Sequence, residues 1–96
     1  MHREEVLKRL REHRAEVERL GVSRLALFGS VARDEAREDS DIDVLVEFSK
    51  PVGLFEFLRL DFYLEELLGS HVDLVTPDAL KAKLRERILH EAIYAT

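Results

Sequence analysis

Asp41 and Asp43 are acidic residues whose spacing could support chemistry. They flank one isoleucine at the start of the β-branched run Ile42–Phe48. Residues i and i+2 of a strand point to the same face, so the two carboxylates are held side by side. Their charges repel, and a divalent cation relieves that repulsion. Oxygen ligands at this spacing suit Mg²⁺. The pair therefore predicts a magnesium site, and the alternative is a solvated outward pair with Asp41 in a turn.

Asp73 interrupts the apolar run Val72–Val75. A charge in such a strand costs stability unless it is paired or coordinates a metal. We therefore expect Asp73 to join the same metal site, with a solvated outward side chain as the alternative. His71, two residues earlier, is expected at the surface at the end of the strand, with a position near the site as the alternative.

Gly29 and Ser30 follow the apolar segment 24–28 and precede a segment that suits a short helix, residues 31–38. Glycine permits a tight turn and close approach of a ligand to the backbone. The N–H groups at the start of the helix favour an anion. Ser30 adds a hydroxyl, and Arg33, on the same helix face, adds a guanidinium that can hold phosphate or carboxylate. The alternative is a simple Gly-Ser turn beside a surface arginine.

Seven segments must position these residues, in the order α-β-α-β-α-β-α. Apolar spacing predicts a helix that ends at Gly21, strands at 24–28, 42–48 and 71–76, helices at 31–38 and 52–68, and a last helix that starts at Thr76-Pro77. This order predicts an α/β (α+β-like) fold in a single domain, residues 1–96. Its core is a small mixed three-stranded sheet packed with about four helices.

The predicted topology brings the candidate site residues together. If the first two strands are antiparallel, the Gly29-Ser30 turn meets Asp41 and Asp43. The long helix can then cross over to a parallel third strand, which places Asp73 beside them. Three carboxylates and one phosphate cradle suit two-metal phosphoryl-type chemistry.

The long helix carries more apolar residues than one sheet needs. One stripe suits the sheet and consists of Leu54, Phe57, Leu60, Leu64, Leu67 and Leu68. A second stripe consists of Phe55, Leu58 and Phe62. The second stripe indicates either a protein interface or a face covered by the first or last helix.

The composition excludes several classes of protein. The 96 residues carry a net charge of -5 and contain no cysteine, which excludes disulfide scaffolds, zinc fingers and a cysteine nucleophile. An acidic balance argues against a direct nucleic-acid binder. No apolar run suits a membrane span or a signal peptide, so a cytoplasmic protein is expected. The absence of Asn and Gln and the excess of Arg (11) over Lys (4) are typical of a thermophile, or else of GC-rich codon bias.

The pattern Gly29-Ser30, ten residues, then Asp41-Ile42-Asp43 resembles the G-S-x10-D-x-D signature of the DNA polymerase beta-like nucleotidyltransferases. The surrounding run is similar to the minimal nucleotidyltransferases of bacteria and archaea, over essentially the whole chain. The chain departs from the family pattern at Val31, often larger or basic in the family, and at Asp34, often glycine.

The resemblance implies roles for the acidic residues. Asp41 and Asp43 would bind Mg²⁺, with two ions involved, and Asp73 would share a metal and help to deprotonate the incoming hydroxyl. The reaction would move AMP from ATP, the nucleotide triphosphate, onto an acceptor hydroxyl and release pyrophosphate.

The resemblance also implies a phosphate site and a partner. Gly29 and Ser30 would hold the β- and γ-phosphates, and Arg33 would help to position phosphate. Larger relatives carry a helical acceptor domain, whereas this chain stops at Thr96, so the acceptor is expected on another chain or across a homo-oligomer. Minimal nucleotidyltransferases resemble the antitoxin half of a pair with a HEPN-domain RNase toxin, where AMP goes to a toxin tyrosine. A binding-only antitoxin and a subunit of a two-chain small-molecule nucleotidyltransferase remain alternatives.

Overall fold

The computed structural model describes residues 2–37 and 39–96. The five α-helices are α1 (Arg3–Glu12), α2 (Arg14–Arg19), α3 (Gly29–Ala32), α4 (Leu54–Leu68) and α5 (Ala82–Glu91). The four strands are β1 (Val22–Phe28), β2 (Ile42–Phe48), β3 (Val72–Val75) and β4 (Ile93–Tyr94). A 3₁₀ turn, Pro77–Ala79, precedes α5.

The strands form one mixed sheet in the order β3-β2-β1-β4. β1 is antiparallel to β2, and β2 is parallel to β3, as the sequence predicts. α4 makes the connection between the two parallel strands. The mixed α/β class is confirmed, but the predicted count of three strands is wrong. The fourth strand has two residues and pairs with Ala26 and Leu27 of β1, and so short a segment leaves no periodic signal in the sequence.

Alternating residues of the central strands divide the apolar core between the two sheet faces. Leu25 and Leu27 of β1, with Val44 and Val46 of β2, belong to the larger cluster, which includes α1 and α4. The opposite parity forms a smaller cluster, which consists of Ala26, Phe28, Leu45 and Ile88. Ile88 comes from α5, so α5 covers the thinner face of the sheet.

α4 buries only part of its apolar surface. Leu60, Leu64 and Leu68 are buried, because their spacing of four keeps them on the sheet side. Leu54 is 70% exposed, so its predicted place in the buried stripe is wrong. It stands in the first turn of the helix, beyond the edge of the core. Phe55 is 83% exposed and Phe62 is 66% exposed, so neither the first nor the last helix covers the second stripe.

Several predicted boundaries also need correction. The first helix is broken at His13, whose Nδ1 lies 2.9 Å from the carbonyl oxygen of Arg9. The helix predicted at 31–38 is a four-residue helix that begins two residues earlier, and Glu38 lies outside the described residues. The helix predicted from Thr76-Pro77 forms a 3₁₀ turn and restarts at Ala82. Within the described part of the chain, no helix is long and apolar enough to cross a membrane.

Candidate active site

Strand pairing places Asp43 at the centre of the candidate site. The register of the antiparallel pair sets Asp43 opposite Phe28, the last residue of β1, and the parallel pair sets it opposite Asp73. Asp43 is partly buried, whereas Asp41 and Asp73 are exposed. The alternation of the strand puts Asp43 on the same face as Leu45, which is the face covered by α5. The predicted meeting of the first turn with the second and third strands is therefore present.

Gly29 forms the wall against which the Asp43 carboxylate rests. Its φ is +71°, in the left-handed region that favours glycine. A Cβ at this position would overlap Oδ2 of Asp43 and would lie 3.0 Å from its Cγ. The absence of a side chain at residue 29 therefore lets the turn and the carboxylate share one small space. Ser30 follows directly, in α3.

The environment of Asp43 opposes its negative charge. Burial raises the pKa of the Asp43 carboxyl, and the neighbouring charges of Asp73 and Asp41 raise it further. The Arg33 guanidinium lowers this pKa, and the carboxylate of Glu91 raises it. An acidic group whose pKa is raised by burial and by neighbouring carboxylates is typical of a functional site.

A second set of contacts holds the edge of the site where β3 begins. His71 Nδ1 lies 3.3 Å from Oδ1 of Asp41, and its Nε2 lies 3.7 Å from Oε2 of Glu65. Glu65 Oε2 accepts a hydrogen bond of 3.0 Å from the backbone N–H of Val72. His71 therefore lies at the surface, as expected, and also bridges Asp41 to α4. Asp61, one turn earlier in α4, has a buried Oδ1 without a hydrogen-bond partner and a pKa raised by burial and by Glu65.

The Gly29 turn and Arg33 are engaged by acidic residues. The N–H of Gly29 donates to Oε1 of Glu91 at 3.0 Å. Nη1 of Arg33 lies 3.3 Å from both carboxylate oxygens of Glu91, and its Nε lies 3.3 Å from Oε2 of Glu35. The hydrogen bond that Arg33 donates to Glu35 and the charge of Glu91 raise the pKa of Arg33, which therefore stays protonated. The two donors expected to hold phosphate thus face anionic oxygens.

The donor set fits a hard divalent cation. Asp43 and Asp73 are cross-strand neighbours, and their carboxylate oxygens are the donors that such a cation prefers. Among residues 2–37 and 39–96, no three acidic or histidine side chains already converge on one point. Asp41, Asp43 and Asp73 are exposed or partly exposed, so their carboxylates are accessible from solvent.

Sequence reasoning missed Glu91 and Glu65. Both are acidic residues of helices, and such residues are normally solvated, so their types carry no signal. Only the packing of α5 and α4 brings them to the site. A groove of about 760 Å³ lies at the opposite end of β2, beside Phe48 and Phe57, and is lined by none of the six predicted site residues.

The fold and the site define a class of protein that transfers nucleotidyl groups. Residues 10–95 match the nucleotidyltransferase domain family. The protein adenylyltransferase MntA of Thermococcus cleftensis is 45% identical over 92 residues, which cover 95% of this chain and 93% of that protein. A relative from Methanocaldococcus jannaschii is 48% identical over 73 residues, which cover 76% of this chain and 78% of that protein. The chain belongs to the nucleotidyltransferase domain family, and the resemblance seen in the sequence is confirmed.

Solved structures share the fold. A structure described as a minimal nucleotidyltransferase superposes with a TM-score of 0.85 at 45% identity and covers 97% of this chain and 95% of its own. A toxin–antitoxin complex with AMP-PNP gives 0.72 at 21% identity, over 90% of this chain and 72% of that one. A Shewanella oneidensis complex of a tri-AMPylated HEPN toxin with an MNT antitoxin gives 0.67 at 18% identity, over 94% and 71%.

Proposed function

We propose that this nucleotidyltransferase moves AMP from ATP to a tyrosine hydroxyl of a HEPN-domain partner and so acts as the antitoxin of a pair. The observation that carries the proposal is the placement of Asp43 against Gly29 and opposite Asp73. The adenylyltransferase name of the Thermococcus relative supports AMP as the transferred group. The tri-AMPylated HEPN toxin in a complex of the same fold supports the class of acceptor.

Asp41, Asp43 and Asp73 are the residues that would hold Mg²⁺. Bound there, two such ions would neutralise the charge that develops on the phosphates during transfer.

The remaining site residues orient the nucleotide and move one proton. The N–H of Gly29, the hydroxyl of Ser30 and the guanidinium of Arg33 are donors for phosphate oxygens. The tyrosine oxygen forms a bond to the α-phosphorus of ATP, and the bond from that phosphorus to the pyrophosphate oxygen breaks. The phenolic proton passes to the carboxylate of Asp73. The products are AMP-tyrosine and pyrophosphate.

A docking surface for the partner is available on α4. The exposed α4 face consists of Leu54, Phe55 and Phe62, which are more than half exposed, with the partly buried Leu58 between them. Large contiguous apolar side chains on the surface of a small protein are typical of an interface. The same helix carries Glu65, which contacts the start of β3. A partner bound to α4 would therefore lie beside the edge of the sheet that carries Asp73.

The test is transfer of label from α-³²P-ATP to a purified HEPN-domain toxin, with Mg²⁺ and with EDTA. We expect wild type to label a tyrosine only with Mg²⁺, and Asp43→Asn to label nothing. Asp78→Asn, an exposed carboxylate on the 3₁₀ turn, is the matched control and should retain transfer. Neutralisation of the toxin by Asp43→Asn would identify a binding-only antitoxin. Label found only on small hydroxyl compounds would identify the two-chain small-molecule enzyme.

A further inference from the structure

The Glu91 carboxylate occupies the donors that the nucleotide phosphates would need. It accepts the Gly29 N–H at 3.0 Å and meets Arg33 Nη1 with both oxygens at 3.3 Å. Carboxylate and phosphate are recognised by the same charged and N–H donors, because both present anionic oxygens. We propose that Glu91 is a built-in competitor of the nucleotide, which holds the Gly29–Arg33 anion site until the triphosphate displaces it. This inference rests on the proposed function, because that function assigns phosphate to these donors.

The fold fixes Glu91 at this position from two sides. It is the last residue of α5, which is packed on the sheet through Ile88. Two residues later the chain enters β4, where Ile93 pairs with Leu27 near the end of β1. The carboxylate therefore stands next to the turn that follows β1, and its side chain is only 29% exposed. Gly29 and Glu91 are 62 positions apart in the sequence, so their contact depends on the packing of α5 and β4.

A second acidic residue provides an internal comparison. Glu35 also pairs with Arg33, but through Nε alone, and its side chain is 65% exposed. It lies two residues from Arg33 and makes no contact with the Gly29 N–H among the hydrogen bonds of the described residues. Both residues carry the same charge close to the same guanidinium. Only Glu91 bridges the two donors, so only Glu91 should compete directly with a bound phosphate.

The test measures the affinity of the full chain for AMP-PNP with Mg²⁺ by titration calorimetry. Glu91→Gln keeps the shape of the side chain and removes its charge, and we expect it to tighten the binding of AMP-PNP about threefold to tenfold. An exposed ion pair changes an equilibrium by up to about fivefold. The charged hydrogen bond with the Gly29 N–H adds to that effect. Glu35→Gln is the matched control and should change affinity less than twofold.

The outcomes separate this inference from the proposed function. If wild type binds AMP-PNP and Glu91→Gln binds it equally or more weakly, Glu91 supports the site instead of competing for it, and the inference is wrong. If Glu35→Gln tightened binding equally, the effect would come from the loss of any negative charge near Arg33, and the inference would also be wrong. If wild type binds no AMP-PNP with Mg²⁺, the proposed function itself fails. Circular dichroism confirms that each variant is folded.

Discussion

Asp43 combines a cost to the fold with a proposed role as a metal ligand. Its carboxyl is partly buried and faces Asp73 across a parallel strand pair. Like charges directly opposite each other in a sheet are destabilising. Active sites commonly keep such arrangements because the reaction needs them, and the rest of the fold compensates. At this residue, stability and activity should therefore respond to substitution in opposite directions.

Replacement of Asp43 by asparagine should stabilise the metal-free protein and abolish transfer. Asparagine keeps the shape and removes a repelling charge, so we expect a gain of about 0.5–1 kcal/mol in the free energy of unfolding. Urea unfolding in EDTA at neutral pH measures the gain, with Asp78→Asn as the control that should lie within about 0.5 kcal/mol of wild type. A loss of stability in Asp43→Asn would show that its charge is favourable in the native state.

The same residue predicts a pH dependence of stability. The pKa of Asp43 is raised in the native state, chiefly by burial and then by Asp73. Between the ordinary aspartate pKa and this raised value, the native state binds more protons than the unfolded state. The free energy of unfolding contributed by Asp43 therefore falls as the pH rises through that interval. Stability measured against pH in EDTA should show this fall, and the difference between wild type and Asp43→Asn isolates it from Asp61, whose pKa is also raised.

Gly29 is expected to tolerate no side chain because Asp43 occupies the adjacent space, whereas Gly69 has open space around it. Both residues have positive φ, +71° and +68°. A Cβ at Gly69 meets nothing within 4 Å, whereas at Gly29 it overlaps Asp43. Gly69→Ala should cost about 1–2 kcal/mol from the backbone alone and leave transfer intact. Gly29→Ala should cost at least about 1 kcal/mol more and abolish transfer. Equal effects in thermal unfolding and transfer assays would contradict the packing of Asp43 on Gly29.

At the scale of the elements, α4 separates a structural face from an exposed one. Leu64 is fully buried, so Leu64→Ala should cost about 2–5 kcal/mol. Phe55→Ala and Phe62→Ala remove exposed rings and should change stability by less than about 0.5 kcal/mol.

If the exposed α4 face binds the HEPN partner, the double phenylalanine variant should weaken the complex at least about tenfold. Lys83→Ala, exposed on α5, is the control, and a complex unaffected by the double variant would place the interface elsewhere.

The central elements could be predicted because their signals are local. The apolar runs predict β2 and β3 with Asp43 and Asp73 near their starts, and a right-handed crossover through the long helix places these carboxylates on neighbouring parallel strands. The contact of Glu91 with Gly29 joins residues 62 positions apart and depends on how α5 packs. β4 is two residues long, below the length at which alternation can be read. Leu54 fits the apolar spacing of α4, but spacing does not show where the core ends.

At the scale of the whole molecule, the sheet has unequal cover on its two faces. The larger cluster of buried residues lies on the side of α1 and α4, and the smaller one lies on the side of α5. Asp43 opens on the thinner side, because the parity of β2 directs it there with Leu45. Thin cover would give a nucleotide access to the Gly29 turn, the proposed phosphate site, without opening of the main core. The same arrangement leaves α5, and with it Glu91, as the element best placed to respond to a ligand.

The composition predicts that this small protein has an unusually high thermal unfolding midpoint. The chain has no Asn, Gln or Cys and carries 35 Asp, Glu, Lys and Arg side chains in 96 residues, the sum of 15 basic and 20 acidic ones. Such compositions are typical of thermophiles, in which ion-pair networks gain value as temperature rises. Arg33 links Glu35 and Glu91 in one network of this kind. We expect an unfolding midpoint above about 65 °C, beyond the usual range of mesophile domains. A calorimetric scan in EDTA tests this, and 1 M NaCl should lower the midpoint if ion pairs contribute. A midpoint near 50 °C would instead assign the composition to codon bias.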